Sequence, residues 1–272
     1  MLVDLNAQAE HAPKDNRPAD RPCGSVEFPL RPSQLPQLMP QPIGAYVPFK
    51  PFVEFVLALV LLILLAPLMA LTALLVRLTS SGPAVYVQSR VGKGGRLFRI
   101  YKIRTMHHNC ERISGARWSA PGDPRITTLG RFLRKAHLDE LPQLINVLKG
   151  DMSLVGPRPE RPEFVAALER EIPRYSERLA VRPGVTGLAQ VYLPPDTDME
   201  SVRRKLAYDL FYIAHIGPWL DFRLLLCTGL QMLAVPFPVA HWLFRMPSER
   251  IVEGAALVQS PLAAPSPDLQ LS

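Results

Sequence analysis

Hydrophobic side chains are concentrated in one long segment near the N-terminus, Phe52–Leu78. The part from Phe55 to Val76 carries no charge and is rich in leucine, and it is long enough to span the ~30 Å hydrocarbon core of a bilayer. Pro67 lies near the middle and removes at least one backbone hydrogen bond. The pattern predicts a membrane helix. Two geometries stay open: a kinked helix that crosses the membrane, or two arms that dip in and return on one face.

Short alternating segments follow at Ala84–Gln88 and Leu97–Ile103, separated by GKGG at Gly92–Gly95. They are rich in Val, Tyr and Ile, so they predict a β-hairpin. Helical patterns cover much of the chain from there to residue 233. The predicted helices are Thr128–His137, Asp139–Leu148, Pro162–Glu171, Met199–Ile216 and Pro218–Leu233. The predicted fold class is α+β and helix-dominated, with a small hairpin and several amphipathic helices, because the regular strand–helix alternation of a doubly wound fold is missing.

The two ends of the chain show no sustained periodicity. Residues 1–48 hold nine prolines and are predicted to form a disordered arm. Residues 236–272 are predicted to be a largely disordered tail. Between them we expect the membrane helix at 49–79 and one domain, which carries the chemistry, at 80–235.

Basic residues are concentrated just after the membrane helix. The chain has a net charge of +7 and a pI of about 9.5, so anionic partners are expected: phosphates, nucleic acid or acidic lipid headgroups. Seven basic residues and no acid lie between Arg77 and Arg104, which places the soluble part on the cytoplasmic face. The three cysteines are far apart, so a reducing compartment is expected and a disulfide framework is not.

Asp139 and Glu140 are the leading candidates for chemistry. Adjacent carboxylates at a helix start are often only a cap and a first-turn charge, and Pro142 suits such a position. However, thirteen Lys and Arg residues face two acids between Arg77 and Lys135. Such an excess would hold both carboxylates ionised and could bind a diphosphate. Two ionised acids beside phosphates suggest a bridging Mg²⁺, and an ionised Asp can attack phosphorus.

Several basic side chains are candidate phosphate ligands. Arg158 stands between two prolines in GPRP at Gly156–Pro159, which fix the backbone and so favour a bidentate phosphate contact. Arg182 opens another stiff turn, RPGVTG, and Lys102 lies on one face of the second predicted strand. A rigid surface turn or a solvated strand face is the alternative interpretation of each.

Together these segments resemble the bacterial sugar transferase family, the monotopic phosphoglycosyl transferases that start glycan assembly on polyprenyl phosphate. The similarity runs from about residue 50 to about residue 233. It depends on QSRVGKGG, YKIRTM, DPRITTLGRFLRKAHLDELPQLINVLKGDMSLVGPRP, RPGVTGLAQV and YDLFYI, which occur in the order typical of the family.

The resemblance implies a reaction and a location. A UDP-sugar gives its sugar-1-phosphate to undecaprenyl phosphate and UMP is released, which initiates exopolysaccharide, capsule or O-antigen-type glycan assembly. The implied location is the bacterial inner (cytoplasmic) membrane, with the catalytic domain on the cytoplasmic face. Membrane lipid and other glycan assembly proteins are further expected partners.

The resemblance also implies roles for single residues. Asp139 matches the nucleophile that forms a covalent phosphosugar intermediate, and Glu140 matches its partner associated with Mg²⁺. Lys102, Arg134 and Arg158 match residues close to the phosphate. The implied metal ligands are therefore Glu140 and Asp139.

Two further features bear on the resemblance. Ala66-Pro67 fits the step at which the family's membrane helix is broken, so the resemblance favours a re-entrant helix. Many members continue after the QV pair with a Ser/Asn-Gly-Arg, but here Gln190-Val191 is followed by Tyr-Leu-Pro-Pro-Asp. Either Arg203 or Arg204 replaces the missing arginine, or the donor pocket differs.

Two other functions stay open. The chain could be a membrane-tethered scaffold that recruits acidic partners through its basic stretch, or a catalytically degenerate family member in a polysaccharide assembly complex. Nucleic acid is not an expected partner, because the basic residues lack the interleaved aromatic platform of single-strand binding proteins.

Overall fold

The computed structural model describes residues 46–110, 122–233 and 235–258. Nearly all of the predicted N-terminal arm, and the last part of the predicted C-terminal tail, lie outside these ranges. The helices are α1 (Tyr46–Thr79), α2 (Thr128–Lys135), α3 (Gln143–Leu148), α4 (Pro162–Glu171), α5 (Leu188–Tyr192), α6 (Met199–Ala214), α7 (Pro218–Met232), α8 (Phe237–Leu243) and α9 (Glu249–Val258). The strands are β1 (Val85–Val91), β2 (Leu97–Ile103), β3 (Ser153–Val155) and β4 (Gly184–Thr186), and 3₁₀-helices lie at Lys93–Gly95, Leu138–Glu140 and Tyr175–Ala180. This helix-dominated arrangement with small sheets agrees with the predicted α+β class.

The membrane candidate α1 is one helix of 34 residues that continues through Pro51 and Pro67. It is long and apolar enough to cross a membrane, and only 11% of its most apolar window is buried within the protein. The predicted break at Pro67 is not confirmed, because α1 continues through this residue without interruption. A proline inside a helix removes one hydrogen bond and bends the axis, while the flanking hydrogen bonds carry the helix on.

Both ends of α1 pack against the globular domain. In its N-terminal half, Ala58 is fully buried in the main hydrophobic core. Near its C-terminal end, Val76 packs with Ile103 of β2 and Leu133 of α2 in a second, smaller cluster. The helix therefore contacts the same domain at two places that are 18 residues apart.

Three buried charged residues, Lys50, Glu54 and Asp221, join the start of α1 to the rest of the domain. We call them the anchor cluster. Lys50 Nζ lies 2.8 Å from Glu54 Oε1 and 2.5 Å from Asp221 Oδ2 of α7. Glu54 also accepts hydrogen bonds from the hydroxyl of Ser153 at 2.5 Å and the backbone N–H of Val155 at 3.2 Å. The anchor cluster thus fastens α1 to both residues that end β3.

The predicted hairpin is confirmed. Strands β1 and β2 pair antiparallel with Val85 opposite Ile103 and Val91 opposite Leu97, so β1 runs three residues beyond the predicted end. The turn between them uses positive φ angles at Gly94 and Gly95. Glycine suits both positions because it has no Cβ to clash there.

The predicted helices after the hairpin are largely confirmed, with one difference that matters for the site. Helix α4 has the predicted bounds, and α6 and α7 begin at the predicted residues. The predicted helix at Asp139–Leu148 is divided: Leu138–Glu140 form a 3₁₀-helix, and α3 begins only at Gln143. His137, with φ +54°, turns the chain sharply before this 3₁₀-helix, and Pro142 lacks the N–H that a continuous helix would use.

Residues 237–258 form two helices, α8 and α9, where the sequence predicts a tail without regular structure. Arg204 of α6 pairs with Glu249 at 3.1 Å and Glu253 at 2.6 Å on α9. Tyr192 of α5 packs its ring edge-on against Phe237 of α8, with ring centroids 4.8 Å apart. Short helices of this kind depend on tertiary contacts, which no local periodicity reveals.

Candidate active site

Glu140 lies between two cations that the sequence identifies as candidates. Its Oε1 atom accepts from Lys102 Nζ at 2.8 Å and from Arg158 Nη2 at 2.5 Å, and its Oε2 atom accepts from Arg158 Nη1 at 3.2 Å. Hydrogen bonds between charged groups are about twice as strong as neutral ones, and the arginine fork fixes the direction of the carboxylate. We call Asp139, Glu140, Lys102 and Arg158 the dyad cluster.

The buried side chain of Asn146 joins β2, which carries Lys102, to α3, which follows Glu140 in the chain. Asn146 of α3 is fully buried; its Nδ2 donates to the carbonyl of Arg99 at 2.7 Å, and its Oδ1 accepts from the N–H of Tyr101 at 3.2 Å. These two hydrogen bonds continue the edge of β2 onto α3. Because α3 follows the acidic pair directly in the chain, they also fix the distance between Lys102 and Glu140.

The loop that carries Arg158 is held by a short parallel sheet. Strands β3 and β4 pair with Ser153 opposite Gly184 and Val155 opposite Thr186. The pairing continues into the loop, because the N–H of Gly184 donates to the carbonyl of Pro157 at 2.8 Å. A Cβ on Gly184 would lie 2.1 Å from the nitrogen of Gly156, so this approach of two backbones requires glycine.

Asp139 is buried, with 7% of its surface exposed, yet its carboxylate differs from that of Glu140 in its hydrogen bonds. Among the residues that the structure describes, no hydrogen-bond donor to the Asp139 side chain is found, and its surroundings act on it through charge. Arg134 is one of these charges, and its Nε donates to Thr105 Oγ1 at 2.8 Å. The carboxylate of Asp139 therefore keeps its lone pairs available.

The two adjacent carboxylates differ in their acidity. Burial alone would raise the pKa of Glu140, but Arg158 and Lys102 outweigh it and hold this pKa well below its usual range. Burial, followed by the charge of Glu140, raises the pKa of Asp139, although Lys102, Arg134 and Arg158 act in the opposite direction. The many basic residues nearby in the sequence predict that both acids are ionised, whereas in the structure their environments shift their pKa values in opposite directions.

Arg182, the remaining predicted phosphate ligand, lies apart from these contacts. Its guanidinium Nη2 lies 3.8 Å from where a Cβ on Gly150 would be, beside the turn that follows α3. Its phosphate-binding role stays a prediction.

The proposed replacements for the missing family arginine have other partners. Arg203 pairs with Glu200 of its own helix at 3.6 Å, and Arg204 holds α9 through Glu249 and Glu253. Whether one of these arginines replaces the missing one or the donor pocket differs stays a prediction with two alternatives.

The described residues contain no group of three or more His, Cys, Asp and Glu side chains that could hold a metal ion. Mg²⁺ commonly binds through one or two carboxylates together with substrate phosphates. The oxygens of Asp139 and Glu140 are donors of this type, so both stay predicted Mg²⁺ ligands. Asp139 is the more available of the two, because Lys102 and Arg158 already occupy Glu140.

Sequence comparison assigns the class of protein. The family model described as "Bacterial sugar transferase" matches residues 45–235, which include the dyad cluster, the anchor cluster and all four strands. The chain therefore belongs to the bacterial sugar transferase family, as its motifs predict.

Three relatives show the range of the family. A UDP-N-acetylgalactosamine-undecaprenyl-phosphate N-acetylgalactosaminephosphotransferase of Aeromonas hydrophila is 46% identical over 192 residues, 71% of this chain and 45% of the relative. A UDP-glucose:undecaprenyl-phosphate glucose-1-phosphate transferase of Caulobacter vibrioides is 46% identical over 157 residues, 57% of this chain and 58% of the relative. An undecaprenyl-phosphate galactose phosphotransferase of Salmonella typhimurium is 41% identical over 166 residues, 54% of this chain and 33% of the relative. The chain spans about half the length of the relatives it matches.

Two features of the site were not identified from the sequence. Glu54 immediately precedes the uncharged membrane segment. A charged residue at the edge of such a segment is a weak signal, and it did not identify the anchor cluster. Arg178 and Asp209 form a buried ion pair at 2.7 Å behind the Arg158 loop. They are 31 residues apart in the chain, and no spacing rule connects them.

Proposed function

We propose that this protein transfers a sugar-1-phosphate from a UDP-sugar to undecaprenyl phosphate, with release of UMP, through a covalent intermediate on Asp139. The transfer would initiate the assembly of an exopolysaccharide, capsule or O-antigen-type glycan. One observation carries the proposal: a buried carboxylate that accepts no hydrogen bond from any described residue stands next to a carboxylate that is held by Lys102 and Arg158.

In the first step an oxygen of the Asp139 carboxylate attacks the β-phosphorus of the UDP-sugar. A bond forms between this oxygen and phosphorus, and the bond from phosphorus to the bridging oxygen breaks, so that UMP leaves with the electron pair. Lys102, Arg134 and Arg158 supply positive charge beside the reacting group. A carboxylate with a raised pKa is more basic than an ordinary one, which favours attack.

In the second step a phosphate oxygen of undecaprenyl phosphate attacks the same phosphorus. The bond between phosphorus and Asp139 breaks, the carboxylate is regenerated, and the lipid diphosphate sugar leaves. Bound Mg²⁺ would neutralise phosphate charge during both displacements. Glu140 stays ionised throughout, because Arg158 and Lys102 lower its pKa, and it keeps these two cations in place.

The relatives do not agree on the donor sugar. The three relatives named above carry N-acetylgalactosamine, glucose and galactose in their names, at 41–46% identity. The reaction type is therefore better supported than the sugar, and a panel of UDP-sugars scored by UMP release would identify it.

The chemical test traps the intermediate. Purified protein in lipid is incubated with a UDP-sugar carrying a radiolabelled β-phosphate, without the lipid acceptor. The expected result is an acid-stable, hydroxylamine-sensitive label on the protein, which undecaprenyl phosphate removes when added. Asp139→Asn should not be labelled, while Asp151→Asn, a matched change of a half-buried aspartate outside the dyad cluster, should be labelled normally. UMP release without any label would overturn the covalent mechanism, and no release with any UDP-sugar would favour a degenerate family member.

We further infer that α1 is re-entrant and the protein is monotopic, with its catalytic domain on the cytoplasmic face. A helix that crosses the bilayer leaves its two ends on opposite sides. Here the anchor cluster holds the start of α1 to β3 and α7, and Val76 packs near its end against β2 and α2. Contacts of the same domain with both ends support return to one side.

The topology test uses one accessible thiol in the N-terminal arm. Cys23 is replaced by serine, Ser33→Cys is introduced, and spheroplasts are treated with a membrane-impermeant maleimide. We expect no labelling until the membrane is permeabilised, after which the new cysteine should react. Labelling in intact spheroplasts would show that α1 crosses the membrane.

A further inference from the structure

We propose that Arg178 is a positioning residue for the transfer, which holds the backbone of Arg158 so that the Arg158 guanidinium meets Glu140. The inference rests on the proposed function, because it assigns a second layer of residues to the same site. Arg178 is not expected to touch the substrate.

The contacts of Arg178 connect three elements behind the loop. Its Nη2 donates to the carbonyl of Arg158 at 2.9 Å, and its Nη1 donates to the hydroxyl of Tyr175 at 2.7 Å. Nη2 also lies 2.7 Å from Oδ2 of Asp209 in α6. Arg178 is 6% exposed and Asp209 is 2% exposed, so both charges are held inside the protein.

The hydrogen bond to the Arg158 carbonyl limits the freedom that the two prolines leave in the loop. Proline fixes its own φ angle, and the residue before a proline is restricted to extended conformations. Pro157 is therefore fixed in φ and Pro159 restricts Arg158 itself, which leaves movement of the loop as a whole as the main freedom near the guanidinium. A donor on the Arg158 carbonyl holds the loop in place and so limits where the side chain can point.

A small cleft behind the loop leaves it some room to shift. The lining of this cleft includes Pro157, Pro159, Tyr175 and Arg178. Without a partner on the Arg158 carbonyl, the loop would shift slightly toward the cleft. The hydrogen-bond distances between Arg158 and Glu140 would then increase, and the charge of Arg158 would move away from the reacting group.

A buried ion pair could also serve stability alone. Removing one partner of such a pair is strongly destabilising whether or not the pair positions another residue. The two roles differ in their effect on the chemical step. A pair that serves stability alone changes the unfolding temperature, whereas a positioning pair also lowers kcat of the folded protein, because Arg158 moves away from Glu140 when it is lost.

The test compares Arg178→Lys with Arg174→Lys in the full-length protein in lipid. Both variants make the same exchange at one short segment, and Arg174 pairs with Glu177 at 2.6 Å. Lysine keeps the charge at position 178 but has a single nitrogen, so it cannot replace the two guanidinium nitrogens that donate separately to Tyr175 and to the Arg158 carbonyl. We expect kcat/KM for UMP release to fall about ten- to a hundredfold in Arg178→Lys, because small misplacements of a catalytic group have effects of this size. The loss should fall on kcat more than on KM and should persist well below the unfolding temperature of the variant, while Arg174→Lys keeps the wild-type kcat and KM.

The outcomes separate this inference from the proposed function. Wild-type protein that releases no UMP overturns both. Wild-type turnover with equal kcat and KM in the two lysine variants overturns the positioning role alone. If Arg178→Lys does not fold, Tyr175→Phe decides, since it removes only the hydroxyl that accepts from Arg178. A several-fold loss of kcat at a temperature where the variant is folded supports the inference, and a change in unfolding temperature alone contradicts it.

Discussion

The anchor cluster and the dyad cluster are built from the same kinds of side chains, but they differ in how their carboxylates are satisfied. In the anchor cluster each oxygen of Glu54 and Asp221 accepts at least one hydrogen bond from a side chain or a backbone N–H; the donors are Tyr46, Lys50, Ser153, Val155 and Tyr212. In the dyad cluster only Glu140 is saturated in this way, and Asp139 has no donor among the described residues.

The difference separates a structural role from a chemical one. A buried carboxylate with all its oxygens bonded is stabilised where it is, and it can attack nothing without first breaking those bonds. A buried carboxylate held only by charge keeps its lone pairs but remains costly to desolvate. We therefore expect Asp139 to lower stability, as a residue placed for the proposed attack would, since active sites are often less stable than other parts of a protein.

The largest expected effect comes from neutralising one aspartate in each cluster. Asp139→Asn should lower the rate of UMP release by at least about a thousandfold, because the nucleophile is lost. Its free energy of unfolding should stay equal to or above that of the wild type. Asp221→Asn should instead lower the free energy of unfolding by about 3 kcal/mol, because buried Lys50 loses one of its two charged partners. Kinetics and thermal unfolding on both variants measure the contrast, and an unstable Asp139→Asn with intact turnover would reverse it.

The second effect concerns the connection between α1 and β3. Glu54→Gln should lower the free energy of unfolding by about 1–3 kcal/mol, because the amide loses the charge that pairs with Lys50 and the second acceptor that Ser153 or Val155 uses. Thermal unfolding in detergent measures this loss. Glu163→Gln is the control, since its carboxylate is more than half exposed, and it should change stability by less than about 0.5 kcal/mol. Equal stability of the two variants would contradict a structural role for the anchor cluster.

The smallest expected effect is a shift in pH dependence. The charge of Glu140 helps to raise the pKa of Asp139, second to burial, so Glu140→Gln should lower this pKa. Asp139 must be ionised to attack, and the acid limb of kcat should therefore move to lower pH. The rate itself should fall, because Lys102 and Arg158 lose their common partner. A pH–rate profile of single-turnover UMP release measures the shift, and movement to higher pH would contradict the assigned coupling.

Much of the fold was predictable because it has local signals. Alternation and the GKGG turn identified the hairpin, and prolines marked the starts of α4 and α7. The parallel pair β3–β4 was missed because each strand has only three residues, too few for any periodicity. The boundary of α3 was misplaced because a left-handed residue at His137 has no reliable sequence signal outside glycine and asparagine.

The candidate site was also predictable only in part. Motif order identified Asp139, Glu140 and Arg158 as candidates, and the structure brings the last two into direct contact. Nothing local indicates that a carboxylate at position 54 bonds to residues about 100 positions later, or that Arg178 reaches the carbonyl of Arg158. Such contacts depend on the assembled fold.

The hydrogen bonds from Ser153 and Val155 to Glu54 have a practical consequence for anyone who prepares this protein. Truncation after α1, in the hope of a water-soluble fragment, would remove the acceptor of two donors located two and four residues before the proline-arginine-proline turn. A buried donor without an acceptor is destabilising, and water could reach these two donors only if the short parallel strands β3 and β4 separated. Detergents or nanodiscs that retain the helix are therefore part of preparing an active sample.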